Sequence, residues 1–263
     1  MVARRLRRRV ADVKRYDIIE RAVRFRRRPT FACALAGTSV LLLSSTLAAG
    51  PAPTLPAEIP AVERDRLRQV AETASVSTRA TGDPFVTRRD VFEYLLDHPE
   101  FATHVTQALR LARYRIWRGP EGLWLDDGWG AVGQFSLVYA ANGTRVMYAW
   151  GVYTQWFLPT IRGRAVVVIE YGLQPAPDNR SLITTTVTGF VKLDNRVLHL
   201  AGRLVGAAAA AKAENEARKL VKVFARASRA IEDDPAAVVA LVGQRPDVPR
   251  HELEEFRRLL QLR

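Results

Sequence analysis

The sequence predicts an α+β protein in which a curved antiparallel sheet of about six to seven strands is followed by a long C-terminal helix. Three observations carry that expectation. Between residues 114 and 193, runs of alternating apolar and polar residues are separated by turn dipeptides, among them Asp127-Gly128 and Asn142-Gly143, which are strong short-range hairpin signals. After Asp194 the apolar period changes from that of a strand to that of a helix and holds to about Glu232. Ahead of the strands, residues 87–111 carry apolar residues at helical spacing, broken once at His98-Pro99.

The chain has 263 residues and a formal net charge of +13. That charge is concentrated at one end: residues 1–30 hold twelve Lys/Arg against Asp12, Asp17 and Glu20. A nucleic-acid-binding module concentrates its excess on the folded part, whereas here the excess precedes an apolar run from Phe31 to Ala49 with no charge between Arg28 and Glu58. Basic, apolar and small-residue regions in that order are the parts of a secretory signal. About 19 apolar residues also nearly span a bilayer core of about 30 Å, so residues 1–50 read as a signal peptide or an N-terminal membrane anchor. The working part is then expected to be exported, either periplasmic or held at the outer face of the inner membrane, with no nucleic-acid partner. Cys33 is the only cysteine and lies inside the apolar run, so disulfides and zinc–cysteine sites are not expected beyond it.

The remaining elements follow in order. Pro51, Pro53, Pro56 and Pro60 mark a stiff linker, and 61–73 reads as a short amphipathic helix, completing a linker region of 51–73. Val76 to Thr81 alternates like an entering strand. Thr87 is placed as an N-cap, with Asp90 three residues later in the position of a capping box. Strands are expected at 114–117, 122–126, 129–139, 144–153, 164–173 and 181–193. The long helix starts near Asp194 and is stopped by Asp233-Asp234-Pro235, and a helical tail occupies 235–263 with its helix at 249–261.

This order, with Asp90-Val-Phe-Glu-Tyr-Leu95 followed by Asp97-His-Pro-Glu-Phe101, resembles the START-like and polyketide-cyclase superfamily over about 74–234. That resemblance implies a helix-grip fold, in which the sheet wraps around the last helix and leaves a cavity between them. The chain departs from the family pattern at Thr103-His104-Val105, where a tryptophan and a proline often stand.

Candidate site residues are chosen by chemistry. Trp129, Phe135, Tyr148 and Trp150 lie on the central strands, and Val146, Tyr148, Trp150 and Val152 share one strand face. The helix expected to cover the sheet has Gly206 and alanines at 207–211 in its middle, so rings opposite small residues either interlock or leave a ligand-sized apolar space. Trp156 and Phe157, with Leu158, Pro159 and Ile161, form an apolar stretch where a loop is expected, which suggests a lid or a membrane contact. Glu170 interrupts an apolar strand and would be a ligand anchor if it faced inward or a solvated group if it faced outward. His104 is a possible cavity-facing group. The histidines show no metal-ligand spacing, and Asp126-Asp127 before Gly128 reads as turn chemistry rather than an acid–base pair.

These residues point to a binding or carrier protein for a lipid or other apolar small molecule, without metal or cofactor and working beside a membrane surface. The alternatives are a cyclase- or aromatase-like enzyme using Glu170 or His104, and a partner-binding module with a collapsed cavity.

Overall fold

The computed structural model describes residues 55–262 apart from Glu121, Trp156 and Phe157, with the backbone alone described at Gln155, Leu158, Pro159 and residues 195–208. The expected signal or anchor segment, Cys33 and the apolar pair Trp156-Phe157 lie outside the described residues. Among the described residues no helix is long and apolar enough to cross a membrane.

The α+β class, the antiparallel sheet and the long C-terminal helix are all present. Helix α1 (Ala61–Glu72) leads into β1 (Val76–Thr81) and β2 (Phe85–Thr87), then α2 (Arg89–Asp97) and α3 (Pro99–Ala108). Six strands follow: β3 (Arg115–Gly119), β4 (Gly122–Asp126), β5 (Ala131–Ala141), β6 (Thr144–Gln155), β7 (Leu158–Ala176) and β8 (Arg180–Leu193). The chain ends in α4 (Asn195–Asp233), α5 (Pro235–Gly243) and α6 (Arg250–Leu259). The strands form one eight-stranded sheet in the order β1-β8-β7-β6-β5-β4-β3, with β2 also paired to β8. The sheet thus has more strands than the six to seven expected, because three-residue β2 gives too little alternation to see.

Three local differences have physical causes. Thr87 belongs to β2, where its hydroxyl donates to Glu232 Oε1 at 2.9 Å, and α2 has no side-chain cap. Asp90 instead accepts from Arg88 and from the backbone N–H of Val91. Leu158 to Ile161, expected in a loop, continues the hairpin, with Gln155 opposite Leu158 and Tyr153 opposite Ile161. The bend at His98-Pro99 is where expected, Pro99 standing in the first turn of α3 where its missing N–H costs nothing.

Strand parity divides the sheet into two faces. On the inner face Ile169, Tyr171, Ile183 and Val187 pack with Phe85, Phe92 and Leu96 against Ala217, Val221 and Ala225 of α4. On the outer face Val146, Val166, Val168 and Phe190 are buried by α1 through Leu67, Val70 and Ala71, together with Ile59 ahead of the helix. Each such aliphatic side chain contributes about 1.5–3 kcal/mol when fully buried. A third cluster joins α5 and α6 to α2, α3 and the end of α4, through Val238, Val242, Phe256, Phe101, Val105 and Ile231. The C-terminal helices therefore bury their apolar residues against the body of the domain. Asp234 caps α5 by accepting from the backbone N–H of Ala237 at 2.9 Å.

A four-residue polar network fastens α2 to the inner face. Arg145 is nearly buried and meets Asp97 through two contacts of 2.8 and 3.2 Å, and it donates to Tyr171 Oη at 3.1 Å. The Tyr171 hydroxyl donates in turn to Glu93 at 2.9 Å. Two members, Glu93 and Asp97, come from the segment that carries the family resemblance.

Candidate functional site

Part of the inner face is made of small residues. Gly133, Gly151 and Gly163 stand in one cross-strand row, and Ala149 and Ala165 stand in the next beside Phe135. The Gly133–Gly151 pair is required by close approach of the strands: a Cβ on Gly151 would lie 2.5 Å from the Val132 carbonyl oxygen and 2.7 Å from the Gly133 Cα. Ala209 of α4 packs near Ile161, Leu193 and Tyr153.

At that end an open cleft of about 320 Å³ lies between the sheet and α4, lined by Trp129, Tyr153, Lys212, Asn215, Glu216 and Lys219. The β4–β5 turn forms one wall. Its Asp126 side chain accepts from the Gly128 N–H at 2.7 Å, and Asp127 Oδ1 accepts from the N–H groups of Trp129 and Ala131 at 2.7 and 2.9 Å. The turn needs left-handed backbone at Gly128 and Gly130, with φ of 72° and 107°. These bonds hold Trp129 out at the cleft, 53% exposed, with the Arg113 guanidinium 5.6 Å and the Lys219 ammonium 5.9 Å from its ring.

The other wall is a polar face of α4 at helical spacing. Lys212 Nζ lies 2.5 Å from Asp127 Oδ2, 3.5 Å from Glu216 and 5.3 Å from the Tyr153 ring. Burial works to lower the Lys212 pKa, but the hydrogen bond and charge of Asp127, with Glu216, outweigh it and leave the pKa raised. Those partners thus favour the charged form of Lys212. Glu216 also takes Lys219 at 3.1 Å. The cleft offers an exposed indole, a phenol ring and ammonium groups in partial ion pairs. That chemistry can hold an apolar body with an anionic or polar end.

No family model matches the chain, and no curated protein matches it either. Among solved structures, a conserved protein from Geobacillus kaustophilus is 15% identical, with 59% of this chain and 93% of that one covered and a TM-score of 0.34. Ara h 8.0201 is 13% identical, with 60% and 98% covered and a TM-score of 0.32. A truncated norcoclaurine synthase from Thalictrum flavum is 14% identical, with 51% and 91% covered and a TM-score of 0.26. Likenesses this distant carry nothing about ligand or activity.

The structure separates the residues chosen from the sequence. Trp129 is at the cleft. Phe135 lies on the inner face, half-buried beside the glycine row. Tyr148 and Trp150 do share a face, but it is the outer one: they stand opposite Val166 and Arg164, and Arg66 of α1 sits 4.1 Å above the Tyr148 ring. Glu170 is on that face too, half-exposed and 3.7 Å from Arg79, so it cannot anchor a ligand under α4. His104 turns toward the C-terminal helices, 3.7 Å from Asp247, where burial first and Arg245 second lower its pKa against the opposing pull of Asp247. Tyr148, Trp150 and Glu170 therefore stand on the face of the sheet away from the α4 cleft, and His104 stands beside Asp247 rather than in that cleft.

The residues missed were Tyr153, Lys212, Asn215, Glu216 and Lys219. The signal was present: Lys212, Glu216 and Lys219 recur at i, i+4 and i+7 on a helix expected to face the sheet, opposite a turn rich in Asp and Gly. A second open cleft, of about 640 Å³, lies between α2 and the β7–β8 hairpin, with Arg89, Glu93, Pro175 and Arg180 among its lining.

Proposed function

We propose that this domain is a non-catalytic binder or carrier of an apolar small molecule, a lipid or a compound of similar character, working outside the cytoplasm. The observation that supports this most directly is the open cleft between Trp129, Tyr153 and the Lys212–Lys219 stretch of α4, on the same sheet face as the row of small residues Gly133, Gly151 and Gly163. Small residues leave room for a ligand body, and the apolar area it buries gains about 25 cal/mol per Å² before binding costs. The ammonium groups at the cleft favour a ligand whose polar end carries negative charge.

Native mass spectrometry of the purified full chain, with solvent extraction of the same sample, tests this reading. A co-purifying amphipathic compound, retained by the wild type and depleted in a Gly163→Leu variant that fills the space over that row, supports it. A chain that is empty as isolated and binds no member of a fatty-acid, phospholipid and isoprenoid panel sinks it. The enzyme reading is less well supported, because Glu170 and His104 stand apart from the cleft and from each other.

A further inference from the structure

The outer face of the sheet carries more than α1 covers. Beyond Val146, Val166 and Phe190, the strands β3 to β6 carry a row of indoles, two half-buried and one exposed. Trp117 stacks on Trp124 with centroids 6.4 Å apart, Trp124 meets Trp150 edge-on at 6.1 Å, and Trp150 is 42% exposed. Register places cations beside them: Arg164 is opposite Trp150, Lys192 is opposite Arg164, and Arg162 is opposite Val152 on the same face. Arg162 and Arg164 are exposed, Lys192 is half-buried, and none of the three makes an ion pair among the described residues. Arg115 adds a fourth cation, 4.7 Å over Trp117. Of the nearby carboxylates, Glu170 is taken by Arg79 and Asp126 by its own turn, and Asp194, whose backbone N–H donates to the Arg162 carbonyl, adds one negative charge beside three cations.

The chain also enters on this face. Leu55 packs with Tyr139 and Tyr148 over the outer-face core. Ala49, the last residue of the apolar run, is six residues earlier.

We propose that the outer face docks on an anionic bilayer surface. Trp150 and Trp124 enter the headgroup layer, and Arg162, Arg164 and Lys192 meet lipid phosphates. Indoles favour that layer because one edge is apolar and the N–H is wet, and uncompensated Lys and Arg are drawn to anionic headgroups within a Debye length. This rests on reading residues 24–50 as a membrane segment, which few residues separate from Leu55 in the sequence. A soluble acidic partner would satisfy the cations but leaves that proximity unused.

The test uses the full chain carrying Cys33→Ser, with an environment-sensitive dye on Ser136→Cys of the outer face or, as control, on Arg226→Cys of α4. Each is reconstituted in phosphatidylcholine vesicles containing about one-third phosphatidylglycerol. Doxyl-labelled lipid is expected to quench the dye at 136 at least about threefold more than at 226. The triple variant Arg162→Glu, Arg164→Glu, Lys192→Glu is expected to bring 136 down to the level of 226. Quenching at neither position, or at 226 alone, overturns the proposal. So does a dye at 136 that is shielded from iodide yet unquenched by lipid, the result expected of a second copy or a protein partner. Alkaline extraction of cell membranes reads the anchor separately: release of the chain with position 136 still quenched would refute the anchor and leave the docking face standing.

Discussion

Asp127 Oδ2 lies 2.5 Å from Lys212 Nζ and thereby joins the β4–β5 turn to the long helix at the mouth of the candidate cleft. Asp127 is 9% exposed, and its other oxygen already accepts two backbone N–H groups. Asp127→Ala is therefore expected to cost about 3 kcal/mol, by leaving two turn donors without their acceptor and the partly buried Lys212 with Glu216 alone. Lys212→Met should cost less, because Asp127 keeps its backbone bonds. Urea unfolding of the two variants gives the comparison, and equal midpoints would contradict it.

The glycine pair between β5 and β6 makes a sharper contrast. Gly151→Ala is expected to destabilise by about 2 kcal/mol or more, since its methyl would meet the Val132 carbonyl and the Gly133 backbone, neither of which can swing away. Gly172→Ala in β7 meets nothing within 4 Å and should be neutral or stabilising by up to about 0.5 kcal/mol, through a less free unfolded chain. Thermal melts of both variants suffice.

For ligand binding, the two faces give opposite expectations. Trp129→Ala should weaken binding of the co-purified ligand by about tenfold, or 1.4 kcal/mol, while Trp150→Ala leaves it unchanged. Titration calorimetry on both variants decides, and an effect of Trp150→Ala alone would move the ligand to the outer face.

His104 sets an acid-side dependence. Its folded pKa is lowered by burial, so the unfolded chain binds the proton more readily. The stability it contributes is present above the ordinary value of 6.5 and is lost as pH falls through the folded pKa. His104→Gln should flatten the fall in unfolding free energy just below pH 6.5 relative to wild type, as read by denaturant titration across that range.

The Arg145 network predicts a loss confined to the α2 attachment. Arg145→Met should cost about 2–3 kcal/mol. Asp97 is 42% exposed and regains water, whereas Tyr171 keeps its bond to Glu93 but loses a donor. Hydrogen exchange is expected to rise first in Arg89–Asp97 rather than in β7 or β8.

Much of the fold was legible because its signals are local. Asp127-Gly128 and Asn142-Gly143 sit in the turns they announced, with positive φ at Gly128, Asn142 and Gly143, and the His98-Pro99 bend and the Asp233-Asp234-Pro235 stop need only neighbouring residues. The polarity of the sheet was not legible. In β6 one parity reads Val146, Tyr148, Trp150, Val152 and the other Met147, Ala149, Gly151, Tyr153, so both faces are apolar enough to be buried. What decides between them is α1, whose Leu67 and Val70 claim the first set, and that is a long-range fact. Helix α5 was missed for a related reason: Pro235-Ala-Ala-Val-Val-Ala-Leu-Val-Gly243 is apolar on every side and has no period to read. The site was half visible, since Trp129 stood out by chemistry while Lys212, Glu216 and Lys219 looked like ordinary solvated charge until the turn was set against them.

The pairing of β1 with β8 has a consequence for how the molecule is made. Val76 finds its partner Val191 only about 115 residues later, so a chain emerging N-terminus first from a ribosome holds its opening strand unpaired while all of that length is made. The sheet edge closes last, when Arg180–Leu193 arrives, and the long helix that covers the inner face comes after it. Closure of such distant pairs is slow, and the exposed strand edges of the waiting intermediate are prone to aggregate. The order of the elements thus makes the final third of the chain the part that completes the sheet and covers it.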